Sequence, residues 1–300
     1  MNETPVIGVV GAGQMGRGIA QVAAQAGCQV HLMDTNDAQV RGALVTIAKD
    51  LNRLVAKGKL ESSESEKVLE RIRPTGALGD LSGCEYVVEA AVENTDLKVS
   101  IFRELDALLP SNCILASNTS SISLTKLAGA TKRPERVIGL HFMNPVPLMK
   151  LVEIVRALQT ADDTYEETCR LSERLGKTYV TTRDMPGFIV NRMLIPFINE
   201  ACFALQDGLG TVQDIDEAAR LGLNHPMGPL QLADLIGLDT CLFIAEVLQR
   251  EFGEDKYRPA SLLRNYVAAG WLGRKTNRGF YVYSAGKQER PSGRPPPDTK

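Results

Sequence analysis

The sequence lacks the features that would assign it at once to a membrane, disulfide-bonded or nucleic-acid-binding class. No apolar stretch approaches the roughly 20 residues that cross a bilayer, and no signal-peptide pattern precedes the first predicted strand. The formal net charge is only −2, which gives no bulk attraction to nucleic acid or anionic lipid. The six cysteines show no Cys-x-x-Cys spacing, and each lies in an apolar run, as reduced thiols packed in a core do. We therefore expect a cytoplasmic globular protein without a disulfide framework or a metal site.

A glycine-rich turn near the start of the chain predicts a dinucleotide-binding unit. A β-branched run, residues 5–10, ends in Gly11-Ala12-Gly13-Gln14-Met15-Gly16, which opens a helical pattern. Gly11 permits a tight turn, Gly13 lets the backbone approach a pyrophosphate, and Gly16 lets helix and strand pack closely. The helix N-terminus would then face the phosphates with free N–H groups and a positive dipole end.

The next predicted strand specifies which cofactor this turn would bind. Residues 28–33 form that strand, and Asp34 follows it. A carboxylate at this place accepts hydrogen bonds from the adenine ribose hydroxyls and repels a 2′-phosphate. The pattern therefore favours NAD over NADP; a glycine-rich turn without a ligand is the alternative.

The pattern of elements divides the chain near residue 186. Further strands are predicted over residues 85–91, 113–117, 137–140, 151–155 and 178–182. After Asp184-Met185-Pro186-Gly187 the pattern becomes helical, with helices predicted over residues 188–205, 212–221, 230–251 and 260–269. We predict the α/β class: a Rossmann-type NAD-binding domain, residues 1–185, followed by an all-α C-terminal domain, residues 186–284. Residues 285–300, rich in proline, are predicted to be disordered.

An imidazole and a buried carboxylate lie close together in the sequence. His141 follows the apolar run Val-Ile-Gly-Leu, and Glu153 interrupts the apolar run Leu-Val-Glu-Ile-Val. The segment 144–147 between them contains two prolines, which neither a helix nor an inner strand accepts. A carboxylate in an apolar strand needs a partner, and a His oriented by a buried carboxylate is a common general base. The alternative is a core His satisfied by the backbone and a Glu that faces solvent at a sheet edge.

Two polar features outside the glycine turn are candidate ligand contacts. Lys49, Arg53 and Lys57 recur every four residues on a predicted amphipathic helix. Such a stripe is usually a solvated surface, but it could also receive the phosphates of a long substrate carrier. The run Asn118-Thr119-Ser120-Ser121 follows the predicted strand 113–117, where α/β folds bind ligands, although a plain turn has the same composition.

Taken together, the motifs resemble the 3-hydroxyacyl-CoA dehydrogenase family, and most closely its short bacterial 3-hydroxybutyryl-CoA members. The resemblance covers residues 5–284. Its main departure is the proline-rich tail beyond Tyr283, and Asn277 also stands where a glycine is more usual. It rests on separated motifs: GAGQMGRGIA (11–20), VVEAAVEN (87–94), LASNTSS (115–121), HFMNPVPLMKLVEIV (141–155), DMPGFIVNRMLIPFINEA (184–201), NHPMGPLQLADLIGLD (224–239) and GRKTNRGFYVY (273–283).

The resemblance implies roles for the reacting residues. His141 would be the general base and Glu153 the carboxylate that orients it. Ser120 matches the serine that contacts the substrate near C3 and its thioester, and Asn191 matches the asparagine of the helical domain that completes the site.

It also implies the ligand contacts. Glu93, Lys98 and Asn118 match positions that line the nicotinamide ribose and a nearby phosphate. Lys275 matches a lysine that reaches toward the cofactor. Arg53 and Lys57 fall where the family places basic contacts to coenzyme A.

The implied reaction is the reversible, NAD-dependent oxidation of an (S)-3-hydroxyacyl-CoA to the 3-ketoacyl-CoA. Two alternatives stay open: a dehydrogenase of a free hydroxy acid, such as a sugar acid, on the same scaffold, and an NAD-binding protein without activity. The basic stripe argues against the first alternative, and the intact set of site residues argues against the second.

The helical region predicts self-association. Phe188, Leu194, Ile195, Phe197 and Ile198 leave one predicted helix almost no polar face, and a helix that is apolar nearly all round is buried on every side. We therefore expect a homodimer through the helical domain; the alternative is that helices of the same chain cover this one.

Overall fold

The computed structural model describes residues 5–284 and 287–292. The chain divides into two compact units, Met1–Phe188 and Ile189–Lys300. Among the described residues, no helix is both long and apolar enough to cross a membrane. All six cysteines are free and buried.

The first unit is built on one eight-stranded sheet. Its strands are β1 Val6–Val10, β2 Gln29–Met33, β3 Ile72–Thr75, β4 Tyr86–Glu89, β5 Ile114–Ser117, β6 Val137–Phe142, β7 Leu151–Arg156 and β8 Thr178–Arg183. The strand order is β3-β2-β1-β4-β5-β6-β7-β8. The strands from β3 to β6 are parallel, whereas β7 pairs antiparallel with β6 and parallel with β8.

Helices cover both faces of this sheet. They are α1 Gln14–Gln25, α2 Asp37–Ala56, α3 Ser62–Glu70, α4 Thr95–Leu108, α5 Leu124–Ala128 and α6 Asp162–Arg174. Apolar side chains of α1, α2, α3 and α6 pack in one core, and those of α4 and α5 pack in the other. Because both faces are covered, every residue of β4, β5 and β6 is buried, which explains their continuous apolar sequences. The predicted α/β class is confirmed.

Strand β3, which contains Pro74, is not among the predicted strands. The structure places β3 at the edge of the sheet, where it pairs only with β2. An edge strand uses one side of its backbone for pairing, so the missing N–H of a proline is tolerated there.

The second unit is helical, as predicted, but its elements differ in detail. Its helices are α7 Val190–Gln206, α8 Val212–Glu217, α9 Pro229–Ile236, α10 Leu238–Phe252 and α11 Ser261–Ala268. The single helix predicted over residues 230–251 is wrong: Gly237, with φ +107°, separates α9 from α10. Asn277, at the position where a glycine is more usual, has φ +57°, a conformation that asparagine tolerates better than most residues.

A two-stranded hairpin also belongs to the second unit, so the prediction of a purely helical domain with a disordered tail needs correction. Strand β9, Tyr281–Ser284, pairs antiparallel with β10, Lys287–Pro291. The buried Ser292 follows, and its N–H donates to the carbonyl of Phe280 at 2.6 Å. Disorder is therefore wrong for residues 287–292; residues 285–286 and 293–300 lie outside the described residues.

Candidate active site

The glycine-rich turn has the geometry of a dinucleotide loop. Gly11 follows β1 with φ +100°. A Cβ atom at Gly16 would overlap the carbonyl oxygen of Gly11. A Cβ at Gly13 would meet no atom within 4 Å, which leaves open space beside the backbone. Gly13 also caps α1 without a side-chain hydrogen bond. The N–H groups at the start of α1 therefore have no side-chain cap and suit a pyrophosphate.

Asp34 lies directly beside this turn, at the carboxyl end of β2. Its carboxylate accepts hydrogen bonds from the N–H of Ala12 at 2.8 Å and from the N–H of Asn36 at 2.9 Å. The side chain is only partly buried, so the oxygens can also be reached by ribose hydroxyls. These contacts fix the carboxylate where it would repel a 2′-phosphate.

The first turn of α1 also contacts the segment that follows β6. The amide of Gln14 donates to the Oδ1 of Asn144 at 3.0 Å. Farther along α1, a Cβ at Gly18 would approach the side chain of Val146 to 2.9 Å, so only glycine allows this close packing. Met15, between the loop and this contact, packs against the main core. The dinucleotide loop and the end of β6 are thus neighbours.

His141 and Glu153 form a buried pair on the adjacent strands β6 and β7. They are direct partners in the antiparallel register, and Nδ1 of His141 lies 2.7 Å from Oε2 of Glu153. The Glu153 side chain is 0% exposed and the imidazole 9%. An ionised carboxylate can only accept, so Nδ1–H donates in this contact and Nε2 keeps its lone pair. The arrangement is that of an imidazole oriented for proton transfer.

A polar loop after β5 is held by Glu93. Oε1 of Glu93 accepts from the hydroxyl of Thr119 at 2.5 Å, the N–H of Ser120 at 3.0 Å and the hydroxyl of Ser121 at 2.9 Å. Burial acts to raise the pKa of Glu93, but the charge of Lys98 and these hydrogen bonds outweigh burial and lower it. Glu93 is therefore an anion that fixes the position of Ser120.

Lys98 and Glu89 form a second buried ion pair beneath this loop. The Nζ of Lys98 lies 2.6 Å from Oε1 of Glu89 and 3.4 Å from Oε2 of Glu93, and the side chains of Lys98 and Glu89 are 1% and 0% exposed. The other carboxylate oxygen of Glu89 accepts from the hydroxyl of Ser117 at 2.6 Å. Lys98 is thus held inside the protein between two carboxylates.

Glu89 is a site residue that the sequence analysis missed. It interrupts the apolar run Tyr-Val-Val-Glu-Ala-Ala-Val, which is the same signal that identified Glu153. The predicted residue Asn118 completes the network, because its Oδ1 accepts from the N–H of Phe142 at 2.9 Å. The polar loop is therefore linked to the strand that carries His141.

The remaining predicted residues lie outside this network. Asn191 is buried in the first turn of α7. Lys275 binds Asp239, with its Nζ 2.5 Å from each carboxylate oxygen. Asn191, Asp239 and Lys275 all belong to the second unit. Arg53 is exposed on α2 and donates to Asp50 at 3.2 Å.

Lys57 is exposed at the end of α2, and Lys49 is exposed within α2.

The first unit places the dinucleotide loop, Asp34, the polar loop and the His–Glu pair at the same edge of the sheet. Such an edge can bind a dinucleotide and transfer a proton next to it.

Two family models match nearly the whole chain. Residues 6–185 match the 3-hydroxyacyl-CoA dehydrogenase NAD binding domain, and residues 187–283 match the 3-hydroxyacyl-CoA dehydrogenase C-terminal domain. The first unit is thus an NAD-binding domain, as its geometry indicates.

Individual relatives are similar over most of their length. The 3-hydroxybutyryl-CoA dehydrogenase of Bradyrhizobium diazoefficiens is 52% identical over 281 residues, which cover 94% of this chain and 96% of that protein. The crystal structure of (S)-3-hydroxybutyryl-CoA dehydrogenase PaaH1 from Ralstonia eutropha, also 52% identical, has a TM-score of 0.91 and covers 94% of this chain and 100% of that chain. A diketoreductase that acts on dicarbonyl compounds is 30% identical, with a TM-score of 0.79 and the same coverage, 94% and 100%.

Proposed function

This chain belongs to the 3-hydroxyacyl-CoA dehydrogenase family, and from this premise we propose that its substrate is (S)-3-hydroxybutyryl-CoA, which it oxidises reversibly to the 3-ketoacyl-CoA. It is an NAD-dependent oxidoreductase. Relatives named 3-hydroxybutyryl-CoA dehydrogenase are 50–52% identical over nearly the whole chain, and this similarity supports a substrate with a short acyl group.

The buried contact between His141 and Glu153 carries this proposal. The glycine turn and Asp34 would hold NAD, which would supply the acceptor for the hydride of C3. His141 takes the proton of the C3 hydroxyl on Nε2, because Nδ1–H is engaged by Glu153 at 2.7 Å. Glu153 stabilises the imidazolium that forms. In the reverse direction His141 returns the proton to the developing alkoxide.

Other residues are proposed to bind and orient the reactants. Ser120, fixed through Glu93, would donate to the substrate oxygen near C3. Asn118 and Glu93 would line the nicotinamide ribose, with Lys98 setting the position of Glu93. From the resemblance alone, we also propose that Asn191 contacts the substrate and that Lys275 contacts the cofactor.

The first experiment is an NADH absorbance assay with acetoacetyl-CoA. We expect turnover by the parent protein and a fall in kcat of about 10²–10⁴-fold in His141→Gln, the range for loss of a general base. Binding of NADH should be retained, because the glycine turn is untouched. His31→Gln, on β2, is the matched control and should keep its activity. Near-normal turnover by His141→Gln would exclude His141 as the base.

The exposed basic stripe on α2 is proposed to bind the phosphates of coenzyme A. Replacing Arg53 and Lys57 together by Ala should raise KM for the CoA thioester. It should leave KM for a truncated pantetheine thioester unchanged, since that analogue lacks the nucleotide phosphates. Lys132→Ala, outside α2, serves as a control for loss of one cation. An equal change in KM for both substrates would show that the stripe is only a solvated surface.

A second candidate is the reduction of a free oxo acid. The similarity to a diketoreductase that acts on dicarbonyl compounds supports it, because that protein has the same scaffold at 30% identity. A comparison of kcat/KM for acetoacetyl-CoA and for acetoacetate distinguishes the two, and a preference for the free acid would favour this candidate.

We also propose a homodimer through the helical unit, but the support differs from the apolar helix on which the sequence-based prediction rested. Ile195 and Ile198 are covered by the unit's own core, and Phe188 belongs to the first unit. The support comes instead from large apolar side chains that are exposed on the second unit: Met193, Leu209, Leu221, Leu223, Leu235 and Phe243. An obligate interface would cover more than about 2,000 Å² in total. Light scattering at low micromolar concentration would refute the dimer if it gave the mass of one chain.

The cytoplasm is the proposed location, since all six cysteines are free and buried and reduced thiols persist in that compartment. Cell fractionation tests this proposal; activity confined to a secreted or membrane fraction would contradict it.

A further inference from the structure

A strained aromatic residue contacts the imidazole of His141. The ring centroids of Phe188 and His141 lie 5.5 Å apart with an interplanar angle of 61°, which is an edge-to-face contact. Phe188 is 4% exposed. It is the one aromatic ring in contact with His141 in the part of the chain that the structure describes.

The backbone of Phe188 is unusual for a residue of its size. Its φ is +49°, and Gly187 before it has φ +76°. A bulky residue with positive φ is an outlier, and such a conformation persists only when its surroundings enforce it. Strain held in this way is concentrated at functional sites.

The segment before Phe188 is anchored at Asp184. Its carboxylate accepts from the hydroxyl of Ser123 at 2.7 Å, the N–H of Leu124 at 3.0 Å and the N–H of Thr125 at 2.7 Å. The N–H of Phe188 then donates to the carbonyl of Met185 at 3.0 Å. The turn before Phe188 is therefore fixed at both ends, and it holds the ring of Phe188 beside His141.

We propose that Phe188 is a positioning residue for the proton transfer, which it serves by holding the plane of the His141 ring. The contact with Glu153 fixes one nitrogen of the imidazole but leaves the ring free to swing about that point. The edge-to-face contact removes this freedom, so that Nε2 points to one place. This inference rests on the proposed role of His141 as the base.

The test is a double-variant cycle on kcat for acetoacetyl-CoA. Phe188→Leu keeps an apolar side chain but removes the ring, and kcat should fall on the order of tenfold, within the 10²-fold that a misplacement of 1 Å can produce. KM for NADH should stay as in the parent enzyme. In the His141→Gln background the same change should have no further effect, because no base remains to be positioned.

A matched control separates positioning from packing. Phe102 is fully buried and belongs to the same apolar core as Phe188. Phe102→Leu should therefore lower the unfolding temperature and leave kcat per folded enzyme unchanged. Phe188→Met is a second variant without a ring, for use if Phe188→Leu does not fold, and it should show the same loss of kcat.

Unchanged kcat in the folded variants, or the same loss with and without His141, would overturn the positioning role. The single variant His141→Gln tests the base itself: if it retains turnover, the proposed function fails, whatever Phe188 does. The two failures are therefore distinguishable.

Discussion

Replacing Glu153 by Gln should separate the charge of this residue from its shape. The Gln side chain has nearly the same volume, and its carbonyl oxygen can still accept from Nδ1–H of His141. The amide carries no charge, however, and so cannot stabilise the imidazolium that forms when His141 takes the substrate proton. The change therefore acts on the transition state and leaves the resting hydrogen bond in place.

The magnitude follows from the burial of the pair. The contact is 2.7 Å long and Glu153 is 0% exposed, so solvent screens it little. A hydrogen bond to a charged group contributes about 1.5–3 kcal/mol, against about 1 kcal/mol for a neutral one. The Gln variant loses the difference between these two values, about 0.5–2 kcal/mol, so kcat should fall about 2- to 30-fold, since about 1.4 kcal/mol is tenfold in rate.

The assay measures NADH consumption with saturating acetoacetyl-CoA, and chemical denaturation of the same samples gives the free energy of unfolding. We expect that free energy to change by less than ~1 kcal/mol, because a neutral hydrogen bond remains. Glu166→Gln, with a side chain 65% exposed on α6, is the control and should change neither quantity. An unchanged kcat in a stably folded Glu153→Gln would refute the reasoning.

Three further changes test other parts of the structure. The parent enzyme should prefer NAD to NADP in kcat/KM, and Asp34→Ala should narrow that preference because repulsion of the 2′-phosphate is lost; an equal ratio in both proteins would contradict this role. Gly16→Ala should abolish NADH binding in a fluorescence titration, since its Cβ would overlap the carbonyl of Gly11; unaltered affinity would show that the turn is not the phosphate site. Burial raises the pKa of Asp234 from 3.8 to about 6, so the folded protein binds this proton more tightly than the unfolded chain. Its contribution to stability is therefore complete below pH 3.8 and is lost as the pH rises through about 6, a change of about 3 kcal/mol. Asp234→Asn should remove this slope from unfolding curves measured across that range, and an unchanged slope would place the titration elsewhere.

The sequence predicted those parts of the site that depend on short-range constraints. The turn from Gly11 to Gly16 needs glycine wherever the backbone comes close to another group, and Asp34 follows the next strand at a fixed distance. Glu153 was recognisable because a carboxylate in an apolar strand requires a partner. The same reasoning applies to Glu89, and it was missed only because the motif that contains it was interpreted through Glu93.

Other features have no signal in the sequence. A positive φ is expected at glycine or asparagine, so nothing in the residue type of Phe188 indicates its backbone conformation or its contact with His141. Strand β10, Lys-Gln-Glu-Arg-Pro, has no apolar alternation, and its pairing depends on the adjacent strand β9, in which Tyr281 and Tyr283 are buried. Contacts of this kind join residues that meet only in the folded chain, so a local sequence pattern does not reveal them.

His141 and Glu153 belong to one hairpin, and the segment 143–150 between its strands determines which residues face each other. A single-residue deletion there that shifted the pairing of β6 and β7 by one position would turn every side chain of β7 to the opposite face of the sheet. Ile154 would then stand beside the imidazole, and Glu153 would enter the other apolar core, away from His141. A shift by two positions would restore the facing but move the carboxylate by about 7 Å along the strand. Insertions and deletions in this segment should therefore be far more damaging than changes of length in loops that join helices.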